Sequence, residues 1–459
     1  MTLRLLVLGL DCVPPALVFD RLAERLPNLS ALRAAGASGP LRSSRPPVTL
    51  PAWSVALSGR DPGELGLYGF RERDPRGYGS RLPSGRTLRL PRLWDHASGA
   101  GMRSVALFVP PSNPPPPLRG VSAACLLHEG QGPWTFPPER GEALAARLGP
   151  YRPDAEAHRA GRPEALLEEL HALAEQHVAI AEALLREERP EVLTMVEIGP
   201  DRLHHALWPA LDPDAPQHEA MRHHTEAAVG YYTRLDALLG RLLQHAGPET
   251  TVLLFSDHGA HALRGGVRLP NLLHRDGWLS LRGGAAPPRR AVPLGQAEVD
   301  WSRTLAWAEG GHWGRLWLNV AGREPQGCVP PREVERRREE LAAWVESLTD
   351  AAGRSLGLRA LRPERIYRVV RGRPPDLWVA PPAGLRPLGT LGGADLPSEN
   401  DTGPDRCNHD PFGFFVAAGP GIAPGPRADL RLPDVFRTAM AALGLPAPPA
   451  TAGSDRRVS

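Results

Sequence analysis

Aspartate and histidine stand at the ends of apolar runs in four well-separated stretches of this 459-residue chain, and residues of those types gathered in one place bind cations. The clearest stretch is Thr251-Val252-Leu253-Leu254-Phe255-Ser256-Asp257-His258-Gly259. Its uncharged run suits a strand buried on both faces of a parallel sheet, and ligands in open α/β sheets gather beyond the carboxyl ends of such strands. Asp257 and His258 would face opposite ways on a regular strand, but Gly259 permits a turn that lets both converge. Taken alone, the pair reads equally as a polar cap between strand and loop. Leu3 to Leu10 repeats the design and delivers Asp11. Val192 to Ile198 leads into Gly199-Pro200-Asp201-Arg202-Leu203-His204-His205, where a helix after Pro200 would set Asp201 and His205 one above the other, able to grip one ion. As a cluster by itself this is also a solvated helix start. His204 points about 100° away and is excluded as a ligand. His409, in a loop ahead of the apolar Phe412 to Ala418, is the last candidate.

Arg45-Pro46-Pro47-Val48-Thr49-Leu50-Pro51-Ala52-Trp53-Ser54 places three prolines around one threonine. Pro51 suits the first turn of a helix, so Thr49 would lie just before its N-terminus, where unpaired N–H groups and the helix dipole favour an anion. A phosphorylated hydroxyl would be stabilised there. The competing reading is an N-cap threonine, and the two are compatible.

The elements that must position these residues can be read from periodicity. Ala16 to Leu26 has helical spacing, and a second short helix opens at Asn28 and closes at Gly36. The helix after Thr49 ends at Ser58-Gly59, before a turn and the loop Leu65-Gly66-Leu67-Tyr68-Gly69-Phe70. Ser104 to Val109 reads as a strand leading to a rigid proline cluster, Arg140 to Leu148 and Pro163 to Arg186 as helices. A later amphipathic helix carries Ala228, Tyr231, Leu235, Leu238, Leu239 and Leu242 on its apolar face, leaving His223 and His224 to solvent. His261 is a reserve ligand. Residues 263–369 break the pattern, with strand-like Gly314 to Val320, a charged helix Pro331 to Leu348 and strand-like Arg365 to Val370. Asp376 to Val379 returns to core-strand character. The expectation is an α/β fold with a mostly parallel central sheet flanked by helices, formed by 1–262 and 370–459, and a small α+β insert lobe at 263–369.

Charge excludes little: 54 basic against 51 acidic residues leave +3, and no dense basic run suggests a nucleic-acid or membrane surface. The chain has no lysine, which rules out a P-loop lysine, a kinase strand lysine and a Schiff base. Glycine and proline make 100 of 459 residues, just under the range of roughly 25–30% where low complexity sets in. Cys12, Cys125, Cys328 and Cys407 are scattered without paired spacing, which fits a reducing compartment. Leu5 to Leu10 is too short for a membrane span, so it reads as a first strand and the protein as cytoplasmic.

In their order, the early strand-end Asp11, Thr49 in a Pro-Pro-Val-Thr-x-Pro-Ala-Trp context, Asp201-x-x-x-His205, Ser256-Asp257-His258-Gly259 and a late His409 before a Gly-Pro-Gly loop resemble the alkaline phosphatase superfamily. Within it they resemble the type I phosphodiesterase / nucleotide pyrophosphatase-like branch, as does Asn319-Val320-Ala321-Gly322-Arg323-Glu324-Pro325-Gln326-Gly327. The resemblance implies that Asp201, His205 and His409 hold one ion, that Asp11, Asp257 and His258 hold the other, and that Thr49 bridges toward the second. The ions would be zinc, with manganese as the alternative, and Thr49 would be the nucleophile. Cys407 is left out of the ligand set, because a hard two-metal phosphoryl site prefers oxygen and nitrogen. Two departures stand out: Cys12 where the family usually has glycine, and Leu65-Gly66 where His-Gly is common. The implied activity is hydrolysis of a phosphodiester or nucleotide pyrophosphate through a phosphothreonine, with a small phosphate ester or nucleotide as substrate. A phosphomutase or phosphotransferase, and a catalytically silent phosphate-binding protein, are the alternatives on the same fold.

Overall fold

The computed structural model describes residues 2–398 and 405–447. They divide into two compact units. The first takes the chain up to Phe70, Pro83–Ala260 and the stretch from His409 onward; the second takes Arg71–Leu82 and His261–Asn408.

The first unit is built on β1 (Leu5–Leu10), β2 (Ala37–Arg42), β3 (Ser104–Leu107), β4 (Gly120–Ala123), β5 (Thr135–Phe136), β6 (Val192–Glu197), β7 (Thr251–Phe255) and β8 (Phe412–Ala418). They form one sheet in the order β2-β8-β7-β1-β6-β3-β4-β5, with short strands added beside β2. From β7 to β4 every pairing is parallel, while β8 runs antiparallel to both its neighbours and β5 to β4. Every residue of β1, β6 and β7 is buried, including Thr194 and Glu197 of the otherwise apolar β6, as suits strands covered on both faces. In register, Leu10 lies opposite Glu197 and Gly9 opposite Phe255. Three strands therefore end at one level, and the turns leaving them emerge on the same rim.

Helices pack on this sheet. All ten residues of α1 (Thr49–Ser58) are buried, and its Trp53 shares a core with Leu5, Val7, Phe255 and Phe436. Gly9 of β1 meets the Trp53 ring so closely that a Cβ there would strike it. The unit also holds α2 (Pro163–Glu188), α3 (Gly199–Leu211) and α4 (Thr225–Leu243), and α4 buries the apolar stripe read from the sequence. Among the described residues no helix is long and apolar enough to cross a membrane.

The second unit contains a four-stranded antiparallel sheet in the order Ala306–Glu309, Gly314–Leu318, Leu377–Ala380, Arg359–Leu361, packed with helices Leu269–Arg275 and Val334–Ser347. Leu377–Ala380 thus belongs to the lobe and not to the central sheet, because its partner is Gly314–Leu318. This carries the lobe past the expected limit at 369 and on to Asn408, and it also takes in the segment Arg71–Leu82. Tyr78 of that segment stacks on Trp301 at 3.6 Å and donates to Asn319 Oδ1 at 2.9 Å, while buried Arg73 pairs with Glu324 at 2.6 Å. The stretch Asn319–Gly327 is therefore the clamp for this excursion of the chain. Arg365 to Val370 is not a strand: Pro363 opens the helical turn Pro363–Ile366, and Val369 and Val370 remain exposed. Ala16 to Leu26 is broken into a π turn at Leu17–Arg21 and a 3-10 turn at Ala23–Arg25.

The contact between Gly9 and Trp53 gives a direct test of the core. Gly9→Ala should destabilise the protein by about 1–3 kcal/mol, the usual range for overpacking, read as a lower urea midpoint at unchanged m. A midpoint equal to wild type would show that the indole has room to move.

Candidate active site

All seven residues singled out by chemistry lie in the first unit, on the rim where β1, β6 and β7 end. Asp11 comes directly after β1, and its N–H donates to the Glu197 carbonyl at 3.0 Å. Cys12 then turns the chain with φ at +69°, a left-handed conformation that a non-glycine residue adopts at a cost of roughly 1–2 kcal/mol. That backbone geometry explains the family's preference for glycine here. Across from it, Ser256 Oγ accepts from the Val13 N–H at 2.7 Å and donates to the His258 carbonyl at 2.6 Å, locking the β1 and β7 ends together. Gly259 does not take a left-handed φ. It is required by space, because a Cβ would run into the Phe412 carbonyl oxygen.

Two groups of ligand atoms result. In one, His258 Nε2 stands 3.4 Å from Asp11 Oδ1 and 3.3 Å from Asp257 Oδ2, with Thr49 Oγ1 3.4 Å from the same nitrogen. In the other, Asp201 Oδ1 lies 3.3 Å from His205 Nε2 and 3.4 Å from His409 Nε2, and the two nitrogens are 3.3 Å apart. The rings of His258 and His409 stack at 3.8 Å, so the groups are neighbours. Thr49 is the first residue of α1, and Val48 is the N-cap, so the threonine hydroxyl is not the cap; it faces His258.

The residues fit cations by their donor pattern. His409 Nδ1 faces the Pro47 carbonyl at 2.8 Å and His258 Nδ1 that of Gly259 at 3.2 Å. Carbonyls only accept, so each Nδ1 carries the proton and each Nε2 turns a lone pair into the site. Every carboxylate is likewise split between an anchored and an orphaned oxygen. Asp11 Oδ2 accepts from Trp53 Nε1 at 2.6 Å, Asp257 Oδ1 from the Cys12 N–H at 3.3 Å, and Asp201 Oδ2 from Arg202 Nη1 at 2.8 Å. Asp11 Oδ1, Asp257 Oδ2 and Asp201 Oδ1 are buried with no hydrogen-bond partner. Lone pairs facing lone pairs repel, and a cation placed among them reverses the sign. Asp11, Asp257 and His258 are one group of buried side chains that could hold a metal ion.

The charges respond to this crowding. Burial, reinforced by the neighbouring Asp201 charge, pushes Asp11 well above the usual carboxylate range; burial and Asp11 do the same to Asp257. Asp201 is also pushed up by burial, but His205, His409 and Arg202 overcome this and hold it well below. Arg202 is in turn gripped by Asp154, with its Nε and Nη2 at 2.7 and 2.6 Å from the two carboxylate oxygens. Burial lowers His409 to about 4 and holds His258 well below the usual imidazole range.

The remaining candidates fall outside these groups. His204 is turned away from the ligand atoms as expected; His223 is exposed, and His224 pairs with Glu164 at 3.7 Å. His261 belongs to the second unit, where its Nδ1 accepts from the Gly384 N–H. Cys12 Sγ lies within 4.8 Å of ring nitrogens of His258 and His409. Trp53, Arg202 and Asp154 hold ligands without being ligands. Of these, only Trp53 has a signal in the sequence, since it stands at i+4 from Thr49 on the same helix face.

The model of the type I phosphodiesterase / nucleotide pyrophosphatase family matches residues 5–405. A crystal structure of phosphonoacetate hydrolase from Sinorhizobium meliloti 1021 with phosphonoformate superposes with a TM-score of 0.59 at 18% identity, covering 96% of this chain and 95% of that one. The same enzyme with phosphonoacetate gives 0.61 at 17% identity, with coverage of 96% and 95%. At such identity the likeness is one of fold. No curated protein matches the sequence.

The raised carboxyl groups predict a proton count. Without cations Asp11 and Asp257 retain protons to higher pH than free carboxylates, whereas a cation requires them ionised; binding must therefore release protons and weaken as pH falls. Titration calorimetry of the chelator-treated protein with Zn2+, in buffers of different ionisation enthalpy, should show net proton release near neutral pH. Buffer-independent heats would contradict the raised carboxyls.

Proposed function

This chain belongs to the type I phosphodiesterase / nucleotide pyrophosphatase family, whose members are metal-dependent phosphoryl hydrolases, and on that premise we propose that it cleaves phosphodiester or nucleotide pyrophosphate bonds with two divalent cations and a phosphothreonine at Thr49. The observation that carries this reading is the set of three buried carboxylates, each with one oxygen anchored and the other unpaired beside an imidazole nitrogen. Asp11, Asp257 and His258 would hold one ion, with Thr49 beside it, and Asp201, His205 and His409 the other. The donor set suits zinc, with manganese as the alternative. When bound, such ions supply positive charge that acidifies a hydroxyl and stabilises the entering and leaving oxygens of an in-line displacement.

The chain's own contribution is positioning. Ala52 makes the first intrahelical bond of α1, to Val48, so the Thr49 and Leu50 amides precede the hydrogen-bonded turn, and the helix dipole directs partial positive charge toward a phosphoryl group on Thr49. Thr49 Oγ forms its bond to phosphorus as the bond to the leaving oxygen breaks, and the leaving group departs as an alcohol or a phosphate. Water then cleaves the threonine ester, returning the hydroxyl. Burial of α1 on every residue fixes the nucleophile against the rim, so little reorganisation is needed to reach the substrate. A silent binding protein has no need of an intact nucleophile beside a complete ligand set.

Thr49→Ala should abolish turnover by several orders of magnitude while leaving cation stoichiometry and ground-state binding nearly unchanged. Thr49→Ser should keep measurable activity, since only a methyl group is lost. Bis-aryl phosphates should be hydrolysed faster than mono-aryl phosphates by the cation-loaded wild type, and a chelator should stop both. Alanine activity near wild type would remove Thr49 from the mechanism; a preference for monoesters would replace the diesterase assignment.

A further inference from the structure

Two ion sites act together only if their separation is fixed, and the ligands here come from different segments: Asp11 from the end of β1, Asp201 and His205 from α3. His204 sits between the two α3 ligands and faces the opposite way. Its Nδ1 lies 2.9 Å from the Cys12 carbonyl oxygen, and its Nε2 lies 2.7 Å from the Tyr232 hydroxyl of α4. The carbonyl can only accept, so Nδ1 is the protonated nitrogen, and a neutral ring then takes the Tyr232 O–H on Nε2. Both side chains are fully buried, and Trp208 packs edge-on against the imidazole at 4.8 Å between ring centres. Cys12 is thereby held at both ends of one residue: its N–H by Asp257 Oδ1 at 3.3 Å and its carbonyl by His204. That residue is also the one strained into a left-handed turn, and a strained backbone persists only where its surroundings over-determine it.

We propose that the Tyr232–His204–Cys12 chain is a positioning device that sets the spacing between the two cation sites, an inference that rests on the two-ion reading above. The Cys12 carbonyl fixes the tautomer of His204, the Tyr232 hydroxyl donates to the other ring nitrogen and holds the ring in place, and Nδ1–H ties the helix bearing Asp201 and His205 to the turn that joins Asp11 and Asp257. The hydrogen-bonding atoms of these three residues are not among the ligand atoms assigned to either cation above. Loss of the Tyr232 hydroxyl leaves Nε2 without its donor, so the ring is held from one side only, can turn in its slot, and the tie to the Cys12 carbonyl loosens.

The test uses the full-length protein loaded with Mn2+, because two Mn2+ ions at fixed short separation give a spin-coupled electron paramagnetic resonance spectrum that isolated ions do not. Wild type should bind two ions and show the coupling. Tyr232→Phe and His204→Leu should retain both ions but lose or alter the coupled signal, and kcat should fall roughly 10–100-fold with KM little changed. His204→Asn, whose amide N–H stands where Nδ1–H stood, should restore the coupling in part. Should His204→Leu not fold, Tyr232→Phe and His204→Asn decide the matter between them. A coupled wild type with an unaltered spectrum in Tyr232→Phe would overturn the tie alone. An uncoupled wild type would overturn the two-ion reading and the tie with it.

Discussion

Three carboxylates buried beside the lone pairs of three imidazoles cannot be at rest as a charge-free interior. Asp11, Asp257 and Asp201 each spend one oxygen on an internal donor and leave the other unpaired, an arrangement that costs several kcal/mol per group unless positive charge joins it. Nearly everything else in the first unit serves to hold those oxygens still. Trp53, the Cys12 amide and Arg202 are the anchors, and each comes from a different element. The two aspartates of the first group are raised by burial, Asp11 further by Asp201 and Asp257 further by Asp11, whereas Asp201, flanked by Arg202 and two imidazoles, is held well below the usual carboxylate range. Two adjacent sites of unlike electrostatics are thus built from similar residues.

The cost of that arrangement is distributed through the sheet. Trp53 can reach Asp11 only by lying across β1, which is why position 9 has no side chain. Gly259 and Gly413 answer the same demand where β7 and β8 crowd the rim: added Cβ atoms there would strike the carbonyl oxygens of Phe412 and Ser256. At the rim Cys12 keeps a side chain in a left-handed turn, and it is braced by hydrogen bonds at both its N–H and its carbonyl. Rigidity at the strand ends and strain at the turn are two views of one requirement.

The second unit is organised by other forces. Its core is mostly leucine and valine around Trp307 and Trp317, and its excursion Arg71–Leu82 is fastened by Tyr78 stacking and by the buried Arg73–Glu324 pair. Arg323 continues that chain of charge to Asp376, with Nη1 and Nη2 at 2.8 and 2.6 Å from the carboxylate oxygens. The motif Asn319–Gly327 is thus explained by architecture. It brings a distant segment of the chain into the lobe, which no local pattern announces.

Local chemistry was enough to single out the seven residues that the fold brings to one rim. An apolar run that stops on an acid is legible because a strand buried on both faces admits no charge, and the i, i+4 pair Asp201 and His205 is legible because helical geometry is universal. The parallel sheet, the charged helix of the lobe and the start of that lobe could be read for the same reason. Register, close approach and tautomer could not. Whether Asp376 to Val379 joins the central sheet or the lobe depends on which strand it pairs with, and both offers look alike in an apolar run. The need for Gly9 comes from a ring forty-four positions away in sequence, and the roles of Trp53, Arg202 and His204 come from partners on other elements. The sequence by itself determined which residues are candidates for the chemistry, because residue type and local periodicity are properties of a segment. Only the tertiary structure decided how their lone pairs are aimed, because a hydrogen bond between distant segments exists only after the chain has closed on itself.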